Sequence, residues 1–326
     1  MSNFTKAILI AVFIFGIQIK ANAISVESET TVGTSSIDES ISVDGKISVV
    51  DDKNSSDSKE GYPWYLSISQ TRSKSTDVDG NTITDITNAV SALYGYESAK
   101  KFEVGAGLSY TSTPAENLIS AAPNVYIGFG FEEEEKLKPT VKSDESSAGD
   151  FKKSVGFKLT FTNNRYIETF AITQLPKNRL GLPRPTTGRL ELVQNSLMLE
   201  VPMRFLSWLR VRPSATYYRY NSDVNDFLNN LNSARLTSGT TGLKSTATSL
   251  PSFDAALQLA FYMFHSWELT LSESYSIIAK DKSNSWSSKV QVFDNIGDWR
   301  IGLGYSSLNS ASSNDSSGTL IVSYDF

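Results

Sequence analysis

The chain has 326 residues, no cysteine, one histidine and a net charge of −5. Although 40% of it is apolar, no apolar run after the first twenty-odd residues approaches the 18 or more that a spanning helix needs, which excludes an ordinary helical membrane protein. Absent cysteine excludes disulfide staples and Cys-ligated zinc or iron–sulfur sites, and a slightly acidic balance argues against nucleic acid as the main partner.

Residues 1–23 read as a secretory signal peptide for the Sec pathway: Lys6 supplies the positive region, Ala7 to Ile17 an eleven-residue apolar stretch, and Ala21-Asn22-Ala23 a cleavage site. The stretch is too short for an anchor, and Gln18 and Lys20 follow it directly. Residues 24–60 hold nine acidic residues, three lysines, many serines and no aromatic. So polar a segment cannot bury enough surface to offset its ordering entropy, so a disordered acidic tail is expected. One alternative is a hairpin over Ser40 to Val49, with Asp44-Gly45 at its turn.

From Gly61 to Phe326 the dominant pattern is alternation. Phe102, Val104, Ala106, Leu108 and Tyr110 alternate with Glu103, Gly105, Gly107 and Ser109; Leu209, Val211, Pro213, Ala215 and Tyr217 alternate with Arg210, Arg212, Ser214 and Thr216. Each is a strand with one apolar and one more polar face. Runs of about 9 to 13 residues exceed the five or six usual in soluble sandwiches and suit strands that cross a bilayer at a tilt. Connections alternate between short ones, such as Leu206-Ser207 and Asn295 to Asp298, and long ones at 133–150, 176–187 and 221–251. That asymmetry fits tight periplasmic turns and long outer loops. Trp64, Trp208, Trp267 and Trp299 stand just after short turns or at the start of the first strand, as an interfacial girdle requires.

The last residues alternate Leu320, Val322, Tyr324 and Phe326 with polar neighbours, and Phe326 is terminal. This resembles the C-terminal assembly signal of Gram-negative outer-membrane β-barrel proteins. The resemblance implies localisation in the outer membrane, recognition by the assembly machinery, and contact with outer-membrane lipid and lipopolysaccharide.

Twelve strands are expected: 62–70, 102–112, 122–132, 152–163, 166–175, 188–203, 208–220, 252–264, 267–280, 287–294, 299–309 and 318–326, an antiparallel up-and-down barrel spanning 61–326. Within 188–203 the apolar phase switches from Leu190/Leu192 to Leu197/Leu199, which implies a bulge. In 166–175 an outward Phe170 would carry Glu168 to the lipid face, so the facing is ambiguous. Glu273 shares the apolar row with Leu271 and Tyr275, so it needs a bulge or a neighbouring protomer. Residues 71–101 become an outer loop in which Ile83, Ile86, Val90, Leu93 and Tyr94 recur at helical spacing, with an extra strand pair as the alternative. Val224, Phe227, Leu228 and Leu231 form a second such stripe, which must bury itself in the mouth or over the rim.

No catalytic constellation is legible. His265 lies in a turn at the periplasmic end beside Ser266, a poor nucleophile–base pair, so an enzyme is not expected. Asp77 to Asn81 lacks the remaining ligands of a calcium loop, and Glu132 to Glu135 read as a solvated rim, so neither metal nor cofactor is expected. The inward rows carry Lys158, Glu200, Arg204, Arg210, Arg212, Asp254, Glu268 and Arg300, charges that would be costly against lipid and should line the lumen. They imply a monomeric, narrow, porin-like passive channel for small polar or anionic solutes. The alternatives are a non-conducting surface barrel for adhesion or phage binding, and a solitary autotransporter-like barrel with residues 24–60 threaded through it or tucked beneath.

Overall fold

The computed structural model describes residues 24–35, 41–51, 64–76, 82–97, 102–113, 118–130, 154–172, 186–206, 208–227, 250–263, 266–310 and 314–325. The leader at 1–23, the 77–81 motif, the acidic run at 132–135, His265 and Phe326 lie outside these residues.

Fourteen staves follow one another around the wall. They are β1 (Ile24–Ser35), β2 (Ile41–Asp51), β3 (Trp64–Thr76), β4 (Thr82–Glu97), β5 (Phe102–Thr113) and β6 (Leu118–Phe129). Next come β7 (Ser154–Val155 continued by Phe157–Ile172), β8 (Thr186–Glu200 continued by Met203–Leu206), β9 (Leu209–Tyr220) and β10 (Pro251–Met263). The last four are β11 (Trp267–Ile278), β12 (Asn284–Ile296), β13 (Trp299–Ser310) and β14 (Asn314–Asp325). Every pairing is antiparallel, and β14 returns to pair with β1 from Glu27↔Asp325 to Ser35↔Ser317, which closes the cylinder. Closure leaves no unpaired edge. Among the described residues no helix is long and apolar enough to cross a membrane.

The count of fourteen corrects the expected twelve. The acidic segment contributes two staves: β1 and β2 pair from Ile24↔Asp51 to Thr34↔Ile41, and Asp44-Gly45 lies inside β2 rather than at a turn. Residues 24–35 and 41–51 are therefore wall, neither a tail nor a segment threaded through the barrel. The stripe at 83–94 is also strand, because β4 pairs with β3 along its whole length. Finally, Asn163-Asn164 does not turn the chain. The two residues form rungs, Asn163 Nδ2 donating to Asn195 Oδ1 at 2.8 Å and Ser120 Oγ donating to Asn164 Oδ1 at 2.7 Å. The segments expected at 152–163 and 166–175 thus merge into β7. These changes reverse the direction of β5 and β6, so the 133–150 connection leaves and returns at the tryptophan end, opposite to expectation.

The two faces follow from the alternation. Val104, Leu108, Phe129, Phe157, Leu159, Leu199, Leu257, Val290, Ile301 and Leu303 are exposed outside, while glycine, serine, threonine and charged residues fill the inside rows. Trp208, Trp267 and Trp299 are exposed at one end, with Trp64 at that same end of β3; Tyr217, Tyr305 and Trp286 are exposed towards the other. The register staggers by about 16 residues around the circuit, which with fourteen staves gives a tilt of about 40° and a backbone radius of about 13 Å. At that tilt the climb from Trp208 to Tyr217 is about 23 Å, close to the height of an outer-membrane apolar band.

Two expected irregularities resolve differently. No bulge interrupts 188–203: β8 keeps one register against β7 from Thr186 to Glu200, and only Pro202, which has no N–H to give, breaks the ladder before Met203. Leu190 and Leu192 simply face inward, as does Glu168, whose side chain is buried. The tight turn between β12 and β13 uses Gly297 at φ 63°, a first loop position that costs glycine nothing.

Candidate functional site

The interior offers the only concentrated polar chemistry of the described residues, and it divides into two levels. Nearer the tryptophan end lies a belt of charge. Arg204 and Arg210 stand directly opposite each other across the β8–β9 turn, and Arg212 follows two residues on, its Nε 3.8 Å from Glu200 Oε1. Lys158 Nζ lies 3.7 Å from Glu103 Oε1 and 4.2 Å from the centroid of the Tyr126 ring. On the far wall Arg300 Nη2 donates to Glu268 Oε2 at 3.0 Å and stacks 3.9 Å from the Phe293 centroid. Thr270 Oγ1 donates to the other Glu268 oxygen at 3.2 Å, and Arg210 lies 5.6 Å from the Tyr262 centroid.

The structure thus places all eight charges read from the sequence on the interior face and brings seven of them into this belt. Asp254 stands apart, higher on β10, where Tyr218 donates to its Oδ2 at 2.7 Å. Among the described residues Lys158, Arg204, Arg210, Arg212 and Arg300 share this level with Glu103, Glu200 and Glu268, and Glu29 stands opposite Lys46 on the inner rows of β1 and β2. The ion pairs are part-exposed, with side-chain exposures between 16% and 42%. Such pairs contribute about 1 kcal/mol or less each, so their main effect is to fix where the cationic groups stand.

Sequence reading missed the aromatic floor beneath two of these cations. Phe293 and Tyr126 lie flat against the wall, over Gly302 and Gly105 of the neighbouring staves. A β-carbon at Gly302 would lie 2.5 Å from Phe293 Cε1, and one at Gly105 2.5 Å from Tyr126 Cζ. The inward glycines of β5 therefore seat side chains rather than leave space for water; Gly107 is covered in the same way by Asn124.

The second level is an apolar latch in the opposite mouth. The chain leaving β9 follows β8 for one more rung: Asn221 N–H donates to Val193 O at 3.0 Å, and Val193 N–H donates to Asn221 Oδ1 at 2.9 Å. A single helical turn follows over 224–227, capped by Asp223, whose Oδ1 accepts from the Asn225 N–H at 2.7 Å. It buries Val224 and Phe227 with Leu250 against Leu192, which is fully buried, and Tyr166, Leu190, Tyr220 and Ala279 pack around them. Beneath runs a chain of hydrogen bonds, Tyr166 to Gln194, Gln194 to Tyr220, and Tyr220 to the Pro251 carbonyl. The second expected stripe thus enters the mouth through Val224 and Phe227, while Leu228 and Leu231 lie outside the described residues.

Glu273 is exposed on the outer face without a bulge. Trp286 Nε1 at 2.8 Å and Ser288 Oγ at 2.7 Å donate to one of its oxygens, and the strand tilt raises it to within about 5 Å of the Tyr217 level. In the neighbouring β11–β12 turn, the Ser283 hydroxyl and N–H hold the Asp281 carboxyl below its usual range. Among the described residues no group of three or more histidine, aspartate or glutamate side chains is placed to hold a metal ion.

No family model matches the chain, and no curated protein matches it. Among solved structures it superposes on the CymD monoaromatic hydrocarbon channel with a TM-score of 0.51 at 11% identity, over 93% of this chain and 88% of that one. The fold is that of a closed antiparallel β-barrel. A TodX deltaS2S3 mutant monoaromatic hydrocarbon channel is also similar, with a TM-score of 0.48 at 12% identity over 95% and 91% of the two chains. The NanC porin gives 0.39 at 12% identity over 91% and 98%. At these identities the likeness is one of fold.

Proposed function

We propose that this chain is an outer-membrane β-barrel that passes small polar solutes by diffusion and favours anions. The observation that carries this reading is the local cationic cluster on β8 and β9, where Arg204, Arg210 and Arg212 stand together with Glu200 beside Arg212, inside a cylinder too wide for side chains alone to fill. A charge excess around a water-filled passage raises the local concentration of counter-ions. Membrane insertion is supported by the exposed apolar band and by exposed aromatic residues at both of its ends, Trp208, Trp267, Trp299 and Tyr94 at one and Tyr217, Tyr305 and Trp286 at the other. In this orientation the tryptophan end is periplasmic and the latch faces outward. Export through Sec by the leader at 1–23, and recognition of Leu320, Val322, Tyr324 and Phe326 by the assembly machinery, belong to the same proposal. So do lipid and lipopolysaccharide as surroundings, a monomeric state and the absence of catalysis.

Planar-bilayer recording of the refolded barrel tests it. Stepwise conductance is expected, with a reversal potential on the anion side that moves towards cations in Arg210→Ala/Arg212→Ala. No steps, or no shift in the double variant, sinks the reading. One observation favours a second reading: the latch closes part of the outer mouth, as a surface barrel that binds partners without conducting would require. A silent wild-type barrel favours that alternative.

A further inference from the structure

The two ring-on-glycine seats recur on nearly opposite walls. One comprises Gly105, Tyr126, Lys158 and Glu103 on β5, β6 and β7; the other comprises Gly302, Phe293, Arg300 and Glu268 on β11, β12 and β13. Six staves separate their centres in a wall of fourteen. Both lie in the periplasmic half, since Arg300 directly follows Trp299, and Lys158 follows Phe157, whose partner is Phe129 at the end of β6. In each, glycine removes the one side chain that would hold the ring off the wall. The ring lies down, with Tyr126 only 3% and Phe293 only 7% exposed. A cation then rests on the ring face, where the quadrupole attracts it, and a carboxylate holds its other side.

From this repeated geometry we infer that Gly105 and Gly302 are width- and selectivity-determining residues of the passage. They keep two bulky rings out of the lumen, and through those rings they hold Lys158 and Arg300 back against opposite walls. The inference rests on the channel reading and deepens it: the passage at this level is a slot with a fixed cation on each side, suited to anionic solutes that need contact from two directions.

The logic makes one methyl group act like a whole ring. Alanine at position 302 cannot coexist with Phe293 in its seat, so the ring must rotate into the lumen and Arg300 loses its support. Single-channel recording of Gly302→Ala should show conductance at least halved and a weaker anion preference. The double variant Gly302→Ala/Phe293→Ala, which removes the displaced ring, should restore wild-type conductance or exceed it. Gly105→Ala with Tyr126→Ala should repeat the pattern. Gly45→Ala, on the outer face with nothing within 4 Å of an added β-carbon, should change nothing. Wild-type conductance and ion preference in both single glycine variants overturn the inference and leave the channel reading standing. If the single variants do not fold, Phe293→Ala on the native glycine takes their place: unchanged conductance and unchanged anion preference overturn it equally. A silent wild-type barrel overturns the channel reading and the width role together. Proton spectra then still decide whether the seats exist, because rings seated on Gly105 and Gly302 shift their α-protons upfield.

Discussion

Replacing Phe227 by alanine should loosen the outer mouth without touching the wall. Phe227 is 5% exposed and Val224 6%, and both rest on a Leu192 that is wholly buried. Burying a phenylalanine stabilises by about 1.5–3 kcal/mol, and truncation in a complete core costs more because a cavity remains. The latch is one helical turn on one wall and can relax, so about 2 kcal/mol is the appropriate figure. That corresponds to an opening equilibrium roughly 30-fold more favourable. Absence of native cysteine makes the assay clean. A single Val224→Cys is exposed to a membrane-impermeant maleimide in proteoliposomes, with Lys280→Cys in an exposed turn as the fast reference. Labelling at 224 should be slow and should accelerate about 30-fold in the Phe227→Ala background, following the opening population. A rate at 224 equal to that at 280 with Phe227 intact, or an acceleration below twofold on truncation, refutes the latch.

Other outcomes follow from the same geometry. Glu268→Gln should leave the barrel folded and raise anion preference about twofold, the effect of one unit charge about 10 Å away in water; reversal potentials in a salt gradient read this directly, and a shift towards cations contradicts it. Removing residues 24–51 should abolish the folded, heat-modifiable species, because it deletes two staves and exposes the edges of β3 and β14; a truncated chain that still migrates as a folded barrel shows that the segment is not wall. Glu273→Gln should keep an acceptor for Trp286 and leave stability within about 0.5 kcal/mol, whereas Glu273→Leu strands two donors and should cost about 1–2 kcal/mol. Urea unfolding in lipid vesicles, followed by tryptophan fluorescence, separates the two; equal stabilities would mean the hydrogen bonds contribute nothing.

Much of this architecture is legible because the exposed apolar rows leave a strong period of two. Strands such as β9 and β13 could be placed from alternation alone, and so could the inward side of Arg210, Arg212 and Arg300. Legibility failed where the outer row is not strongly apolar. β1 sets Thr30 and Thr34 outside, beside Val32, and therefore reads as a soluble tail. In β4 the outward row Ile86, Asn88, Val90, Ala92 and Tyr94 is interrupted by small and polar residues, and the inward Leu93 completes a false helical spacing. Leu190 and Leu192 suggested a bulge because their inward side chains pack with Val224, Phe227 and Leu250, contacts that no local pattern encodes. The glycine seats were hidden for a related reason: a glycine alternating along β5 looks like empty space until the ring of the next stave is known.

The closure of β1 on β14 sets the order in which the wall can be finished. These two staves are separated by nearly the whole chain, so their pairing is the most non-local contact of the fold and cannot form until the C-terminal strand has been delivered. Until then β1 and β2 wait with at least one ladder edge open, the situation in which strands recruit foreign strands. Their unusual composition suits that interval. Acidic residues and serines on both faces make a waiting edge that stays hydrated and repels copies of itself. The segment that least resembles a membrane strand is thus the one that must spend longest as an unfinished one.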